Sequence, residues 1–364
     1  MIDLEDELIL LPGPVPVVPR ILRAISRPMI NHRGEKFKEM LERITQALKE
    51  IMRTENDVFV LSGSGSCGME AAISNLIKGD KILAISNGKF GDRFIDIAGR
   101  YGDVIPLEYE WGRSIELEDV REVVEREKDL KAIAMVHNET SCGITNPAPQ
   151  VAAIAREYDL LFVMDGITSI GGMDVRVDEW GVDIAIVGSQ KCLGAPPGLC
   201  AVAVSERAWD RMVESPPLYM DLRAYRKSAG KGQTPYTPAL PLFFALDEAL
   251  AIVMEEGLDA RIRRHMHLAS MVRDAIRRWG LELFPRLNEV SSYSNTVTAI
   301  KIPEGITVDE LRREVKQKGI TIAGGQEHLK GKIFRIGTMG NLQEKDVLVV
   351  LTVLERVLEA RGVV

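Results

Sequence analysis

The chain has 364 residues, of which 46% are hydrophobic and 27% are charged, and its formal net charge is −7. This composition is typical of a soluble globular protein, and the acidic balance argues against nucleic acid or a membrane surface as a partner. No apolar stretch approaches the roughly 18 residues of a membrane span, and the acidic residues 1–7 differ from the basic start of a secretory signal.

The first twenty residues are rich in proline, at Pro12, Pro14, Pro16 and Pro19. Closely spaced prolines disfavour a regular helix, so residues 1–20 are predicted to form an extended N-terminal arm. A helical pattern follows over residues 36–52. After it, strand-like runs alternate with helical patterns, and the predicted strands are residues 58–61, 81–86, 103–107, 131–136, 160–164, 183–187 and 199–204.

This alternation predicts an α/β fold. We expect a large domain, residues 21–255, with a mostly parallel seven-stranded sheet sandwiched by helices. Residues 256–364 are predicted to form a smaller α+β domain, with strands near residues 296–302 and 332–336.

The cysteines have neither a C-x-x-C pair nor a zinc-binding spacing. They are Cys67, Cys142, Cys192 and Cys200. We expect free thiols in a cytoplasmic protein and no bound metal.

A lysine and an aspartate each follow a predicted apolar strand. Lys191 comes shortly after the strand at residues 183–187, and Asp165 directly after residues 160–164. The carboxyl ends of the strands are where open α/β sheets hold ligands. The two residues suit pyridoxal 5′-phosphate (PLP), because the lysine amine condenses with the aldehyde and the carboxylate pairs with the ring nitrogen.

The segment Ser62-Gly63-Ser64-Gly65-Ser66 connects a predicted strand to a predicted helix. Its small residues and the helix N-terminus favour a phosphate cradle. Gly63, Gly65 and Gly68 also match the G-x-G-x-x-G pattern of dinucleotide-binding enzymes. That alternative, a nicotinamide-dependent dehydrogenase, requires an acidic residue at the end of the next strand, where this chain has Asn87.

Three further positions carry chemistry that suits the same cofactor. Phe90 lies between glycines beyond a strand and could stack on a planar ring. The hydroxyls of residues 137–141 could donate to a ring oxygen. Arg335 interrupts an apolar strand of the second domain, and its planar guanidinium can bind a carboxylate.

These motifs together resemble the class V aminotransferases of PLP fold type I. The resemblance covers nearly the whole chain and is closest to the alanine–glyoxylate and serine–pyruvate aminotransferases. The segments that carry it are Leu11-Pro12-Gly13-Pro14, Asn87-Gly88-Lys89-Phe90-Gly91 and residues 62–70, 139–143, 165–172, 188–198 and 332–340. The most specific is Gly188-Ser189-Gln190-Lys191 followed by Ala195-Pro196-Pro197-Gly198.

The resemblance implies a role for each cofactor-binding residue. Lys191 would bond to the cofactor, and Asp165 would hold the ring nitrogen. Phe90 and Ile167 would sandwich the ring, with Thr140 near its phenolic oxygen. The phosphate would be held by Ser64, Gly65, Ser66 and Gln190, and by Thr237 from the partner subunit of a homodimer with shared active sites.

For the substrate, the resemblance implies that Arg335 binds the α-carboxylate, helped by Ser169 and the backbone of Gly13. It implies a ping-pong transfer of an amino group from a small amino acid, alanine or serine, to a 2-oxo acid, glyoxylate or pyruvate. Because one arginine is identified for carboxylate binding, a monocarboxylic substrate is favoured. An aspartate or broad-specificity aminotransferase is the alternative. A cysteine desulfurase-like lyase and a catalytically silent scaffold of the same fold are further alternatives.

Overall fold

A computed structural model describes residues 7–364; the first six residues of the expected arm lie outside that range. The strands are β1 (Leu8–Leu10), β2 (Asp57–Ser62), β3 (Lys81–Ser86), β4 (Asp103–Glu108), β5 (Leu130–Val136), β6 (Asn138–Glu139), β7 (Ile144–Thr145), β8 (Leu161–Asp165), β9 (Ile184–Gly188), β10 (Leu199–Val204), β11 (Ser292–Tyr293), β12 (Val297–Lys301), β13 (Ile320–Gly324) and β14 (Ile333–Gly337).

The α-helices lie between these strands and at the end of the chain. They are α1 (Pro19–Ile25), α2 (Glu35–Met52), α3 (Gly65–Leu76), α4 (Lys89–Ala98), α5 (Leu117–Arg126), α6 (Ala148–Glu157), α7 (Val177–Trp180), α8 (Glu206–Asp210), α9 (Leu222–Ala229), α10 (Leu240–Glu256), α11 (Leu258–Arg278), α12 (Val308–Lys316) and α13 (Glu344–Glu359). None of the described helices is long and apolar enough to cross a membrane.

A seven-stranded sheet, in the order β2-β10-β9-β8-β5-β3-β4, forms the centre of the large domain. Its strands are parallel except β10, which is antiparallel to both of its neighbours, β2 and β9. The predicted α/β architecture with a mostly parallel sheet is therefore confirmed.

Alternation along the strands explains why helices cover both faces of this sheet. Val58 and Val60 of β2 pack into one hydrophobic core with α2 and α10. Phe59 and Leu61 of the same strand point to the other side and pack with α3 and α4. Successive strand residues face opposite sides, so an almost wholly apolar strand needs a helical layer on each side.

A second sheet, in the order β1-β13-β14-β12, packs against α11, α12 and α13 around a separate core. The sequence pattern located β12 and β14 but did not single out β13. It also did not anticipate that Leu8–Leu10, within the expected arm, pairs in parallel with β13. A third sheet joins β11 to β7 and β6, beside the ends of the large-sheet strands.

Candidate active site

A cavity of about 160 Å³ lies at the carboxyl ends of the parallel strands. Most of the residues singled out in the sequence line it, although they are far apart along the chain. The lining residues are Ser64, Gly65, Ser66, Phe90, Arg93, Val136, Asn138, Thr140, Asp165, Ile167, Thr168, Gln190 and Lys191. The fold thus collects these side chains at the sheet edge where ligands bind in α/β proteins.

Lys191 follows β9 and is half-buried. Its Nζ donates a hydrogen bond to the carbonyl oxygen of Pro12 over 2.5 Å. Burial lowers the pKa of this amine to about 8, from an ordinary value of 10.5, while Asp165 acts in the opposite direction. An amine with a pKa near neutrality can both accept and return a proton at physiological pH.

Gly13 packs directly against Lys191. Its φ is +91°, and a Cβ at this position would lie 2.5 Å from Nζ of the lysine. A side chain here would both strain the backbone and displace the amine. The proline-rich segment therefore forms one wall around Lys191, and the substrate contact of the Gly13 backbone stays a prediction.

Asp165 is the last residue of β8 and is only 4% exposed. One carboxylate oxygen accepts a hydrogen bond from the N–H of Ile167 at 2.7 Å. Burial raises the pKa of Asp165 to about 7, and nearby Glu139 adds to that rise. A buried carboxyl group held this way is stabilised as an anion when a cationic N–H partner enters the cavity.

The cradle lies at the N-terminus of α3, where Ser64 is the residue before the helix. No residue within 7–364 accepts a hydrogen bond from the N–H groups of Gly65 or Ser66. A side chain at position 65 would collide with Ile167, so glycine keeps the backbone accessible. Free N–H groups and the partial positive charge of the helix end form an anion site.

Phe90 is held in place by the buried carboxylate of Glu139. That carboxylate accepts hydrogen bonds from the N–H groups of Phe90 (2.9 Å) and Gly91 (3.1 Å) in the first turn of α4. Ser141 Oγ donates to it as well, at 2.5 Å. The N–H of Ser141 donates a fourth hydrogen bond at 3.0 Å. Burial raises the pKa of Glu139, and the four hydrogen bonds partly counteract that rise. The sequence indicated this segment but not the anchoring role of Glu139.

Arg335 is 6% exposed and lies beside the cavity. Its Nε and one terminal nitrogen donate to the carbonyl of Gly324, and the other terminal nitrogen donates to the carbonyl of Thr140 at 2.9 Å. A further, long contact of 3.4 Å reaches the Gln326 side chain. The two carbonyls fix the guanidinium plane; of the five N–H groups, one stays without a partner in the described residues and one makes only the long Gln326 contact.

Four predicted residues do not line the cavity: Gly13 and Arg335, which lie beside it, and Ser169 and Thr237. Ser169 is completely buried, and its Oγ lies 2.9 Å from Nδ1 of His137. Burial lowers the pKa of His137 to about 4, so this imidazole is neutral. Thr237 is exposed in the segment before α10.

Arg93, Asn138 and Thr168 line the cavity but were not found in the sequence. Arg93 lies one helical turn after Phe90 on α4, and that helix was not singled out. Asn138 donates to Thr168 Oγ1 at 2.8 Å. Local sequence gives no signal for such contacts, because they depend on which strands become neighbours.

The seven-stranded α/β sheet and the separate smaller sheet are the architecture of PLP fold type I. Residues 22–344 match the family model described as aminotransferase class-V, and the chain belongs to this family of transaminases. It is 44% identical to an uncharacterized aminotransferase of Methanocaldococcus jannaschii, over 99% of this chain and 95% of that protein.

Two further relatives have a named activity. The chain is 36% identical to a serine–glyoxylate aminotransferase of Methylorubrum extorquens, over 97% of this chain and 91% of that protein. It superposes with a TM-score of 0.91 on a subgroup IV aspartate aminotransferase of Thermus thermophilus. That match is 34% identical and covers 98% of this chain and 100% of the other.

Proposed function

We propose that this transaminase uses PLP to move an amino group from alanine or serine to glyoxylate or pyruvate by a ping-pong mechanism. The observation that supports this most strongly is the pairing of the half-buried Lys191 amine and the buried Asp165 carboxyl group in one cavity. An amine and an acid with pKa values moved towards neutrality are typical of sites that transfer protons.

The residues present fit PLP. The free N–H groups of Gly65 and Ser66 suit its phosphate, and Ser64 and Ser66 add hydroxyl donors. Within residues 7–364, Oε1 of Gln190 is buried without a hydrogen-bond partner, and this acceptor fits a ligand that brings a donor group into the cavity. Phe90 and Ile167 offer apolar surfaces for a planar ring.

When bound, PLP supplies an aldehyde carbon for the amino group and a protonated ring that accepts electrons from the substrate α-carbon. In the proposed roles, Asp165 keeps the proton on the ring nitrogen. Lys191 would hold the cofactor through its amine, and the same amine would accept the proton from the substrate α-carbon. Thr140, which lines the cavity, would donate a hydrogen bond from its hydroxyl to the ring oxygen.

For the substrate we propose that the outer N–H groups of Arg335 bind the α-carboxylate. The hydrogen bonds to Gly324 and Thr140 orient the guanidinium in advance, and a two-point contact with a planar carboxylate would form when the carboxylate replaces the long Gln326 contact. Gly13 would approach through its backbone. Ser169 would bind the carboxylate directly only if its hydroxyl broke the contact with His137. Otherwise Ser169 and His137 would act on the substrate together.

An aspartate aminotransferase is the second candidate, because Arg93 places another cation in the cavity and the Thermus relative carries that name. A panel of amino donors tests the preference. We expect alanine or serine to give the highest kcat/KM with glyoxylate or pyruvate. A higher kcat/KM for aspartate would overturn the monocarboxylate preference while leaving transamination intact.

The Lys191→Ala variant tests the proposed chemistry. We expect at least a 100-fold loss of turnover, since general acid–base catalysis contributes about that much or more. The visible absorbance near ~420 nm of the lysine–cofactor bond should also disappear, as should the adduct formed with borohydride. Lys36→Ala, an exposed change on α2, is the control. Normal turnover by Lys191→Ala would reject the mechanism.

Two of the three rival functions have structural arguments against them, and turnover assays test the third. β2, which precedes the glycine motif, lies at the edge of the sheet beside an antiparallel strand, whereas a dinucleotide domain begins with a central parallel strand. A desulfurase needs a nucleophilic cysteine on a mobile loop; all four cysteines precede residue 201, and three of them are buried. A silent scaffold would show no turnover with any donor.

We further propose a homodimer in which Thr237 reaches the partner's cofactor phosphate. Next to it, Tyr236 stacks on the exposed Tyr219, with ring centres 5.0 Å apart, and the neighbouring Leu218 is 77% exposed. Exposed apolar side chains of this size favour a covered surface. A wide cleft of about 380 Å³, lined in part by Gln233 and Thr234, lies beside the same segment.

The domain division and the location are also proposals. Separate hydrophobic cores support a division into residues 1–20, 21–255 and 256–364, although Leu10 of the arm packs into the core of the smaller sheet. The free cysteines suit a reducing cytoplasm. Equilibrium sedimentation tests the dimer, and limited proteolysis tests the domain boundaries.

A further inference from the structure

Arg93 connects two parts of the cavity that the proposed function uses separately. One of its terminal nitrogens donates to Ser66 Oγ at 2.9 Å, and its guanidinium carbon lies 4.9 Å from the ring centre of Phe90. The hydroxyl of Ser66 accepts this hydrogen bond, so its own O–H remains free to donate to a ligand.

Arg93 forms no direct ion pair in the described part of the chain, and Asp165 interacts with its charge only from a longer distance. Its side-chain hydrogen bond is to Ser66, and no carboxylate of residues 7–364 lies within ion-pair distance. By contrast, Lys89 on the same helix is paired with Glu327 at 2.7 Å. A partly buried cation with free donors is favourable when an anionic ligand completes the site.

The position of Arg93 indicates which anionic group of a ligand it would bind. Its contact is with Ser66 of the cradle, and its charge acts on Asp165 and Lys191. Arg335 also acts on Lys191, but it donates its hydrogen bonds to the carbonyls of Gly324 and Thr140, away from the cradle. The two cations therefore serve different ends of the cavity, and Arg93 belongs to the cradle end.

The charge of a phosphate ester gives the reason for a cation there. The monoester carries a charge of about −1.5 to −2 at pH 7, while the helix end contributes only about half a positive charge. Neutral N–H and hydroxyl donors add no net charge. A guanidinium donates to phosphate oxygens in pairs and compensates much of the remaining charge.

We propose that Arg93 is the counter-cation of the cofactor phosphate, which it binds together with Ser66. This inference rests on the proposed use of PLP. The same side chain packs on Phe90, so binding the phosphate also fixes the aromatic ring that stacks on the cofactor. Arg93 is thus a cofactor-binding residue in addition to those that the sequence indicated.

Comparison of PLP with pyridoxal, which lacks the phosphate, provides the test. The apoprotein of each variant is titrated with both ligands, and dissociation constants are measured by fluorescence quenching. We expect Arg93→Gln to raise the dissociation constant of PLP roughly 10- to 100-fold and that of pyridoxal less than about threefold. Arg93→Lys, which keeps the charge, should fall between wild type and Arg93→Gln.

Inorganic phosphate gives a second readout that does not depend on turnover. It should compete with PLP for wild-type apoprotein more strongly than for Arg93→Gln. Arg100→Gln removes the same charge from an exposed position just beyond α4 and should leave both dissociation constants unchanged. Far-UV circular dichroism checks that each variant is folded. If Arg93→Gln is not folded, Arg93→Lys is compared with the wild type instead.

Each contrary outcome points to a different error. An equal loss of PLP and pyridoxal affinity would mean that Arg93 acts through Phe90 rather than through the phosphate. Unchanged PLP affinity with a raised KM for aspartate would assign Arg93 to a dicarboxylic substrate. Wild-type protein that forms no covalent adduct with PLP would instead refute the proposed function.

Discussion

Lys191 and Asp165 are each moved towards their uncharged forms by burial. The pKa of the lysine is lowered to about 8 and that of the aspartate is raised to about 7, while their mutual attraction favours the charged forms. Burial is the larger effect for both. A ligand that brings a positive N–H to Asp165 therefore relieves an unfavourable desolvation that the protein alone leaves in place.

The raised pKa of Asp165 gives a prediction about stability. Between pH 3.8 and about 7, the folded state keeps the proton that the unfolded state releases. The contribution of this proton to the free energy of unfolding is complete below pH 3.8 and is lost as the pH rises from there to about 7. Asp165→Asn has no such proton to release, so this pH-dependent loss of stability disappears. Relative to the wild type, the free energy of unfolding of the variant should therefore rise by up to roughly 4 kcal/mol between pH 4 and pH 7.

Urea unfolding of the cofactor-free proteins at pH 4, 5.5 and 7 measures this difference. Asp96→Asn, an exposed change on α4, should follow the wild-type curve at each pH. If the free energies of unfolding of Asp165→Asn and wild type differ by a constant amount across the window, Asp165 does not retain a proton in the folded state.

At the level of elements, the strands of the large sheet could be read from the sequence because each is a short apolar run bounded by polar or glycine residues. The predicted strand at residues 81–86 is the observed β3, and residues 199–204 are β10. The antiparallel direction of β10 and the pairing of β1 with β13 could not be read, because both depend on contacts between distant segments. The same limit hid Arg93, whose contact with Ser66 joins two different βα units.

The start of α4 depends on one buried carboxylate, that of Glu139. Glu139→Gln replaces one acceptor oxygen by an amide and removes any negative charge, so it cannot accept all of the hydrogen bonds from Phe90, Gly91 and Ser141. We expect a loss of roughly 1–3 kcal/mol in the free energy of unfolding. Cofactor affinity should fall as well, because Phe90 loses its anchor.

Chemical denaturation and PLP titration measure the two effects. Glu118→Gln, an exposed substitution in the first turn of α5, is the matched control at another helix start and should change neither. Lower stability with unchanged PLP affinity would show that Phe90 does not need this anchor to stack on the cofactor.

At the scale of the whole molecule, one chain brings together every predicted cofactor-binding residue except Thr237. The nine other predicted cofactor-binding residues line one cavity, whereas Thr237 is exposed beside the stacked Tyr219 and Tyr236. If Thr237 binds the cofactor phosphate of a partner subunit, it should be exposed and lie next to an apolar surface, as it does here. The isolated protomer would then be a complete fold with an incomplete site.

Mixing two inactive variants tests whether sites are shared. Lys191→Ala removes the reactive amine, and Thr237→Asp brings a negative charge to the phosphate, so each homodimer should have little activity. In a mixed dimer, one site combines Lys191 of one chain with Thr237 of the other and is intact. Random reassociation of equal amounts should therefore restore about a quarter of wild-type activity, since half of the dimers are mixed and each has one good site.

Reassociation after mild denaturation, followed by turnover assays, measures this recovery. If Thr237 served its own chain, or if the protein were a monomer, the mixture would show no more activity than the average of its two components.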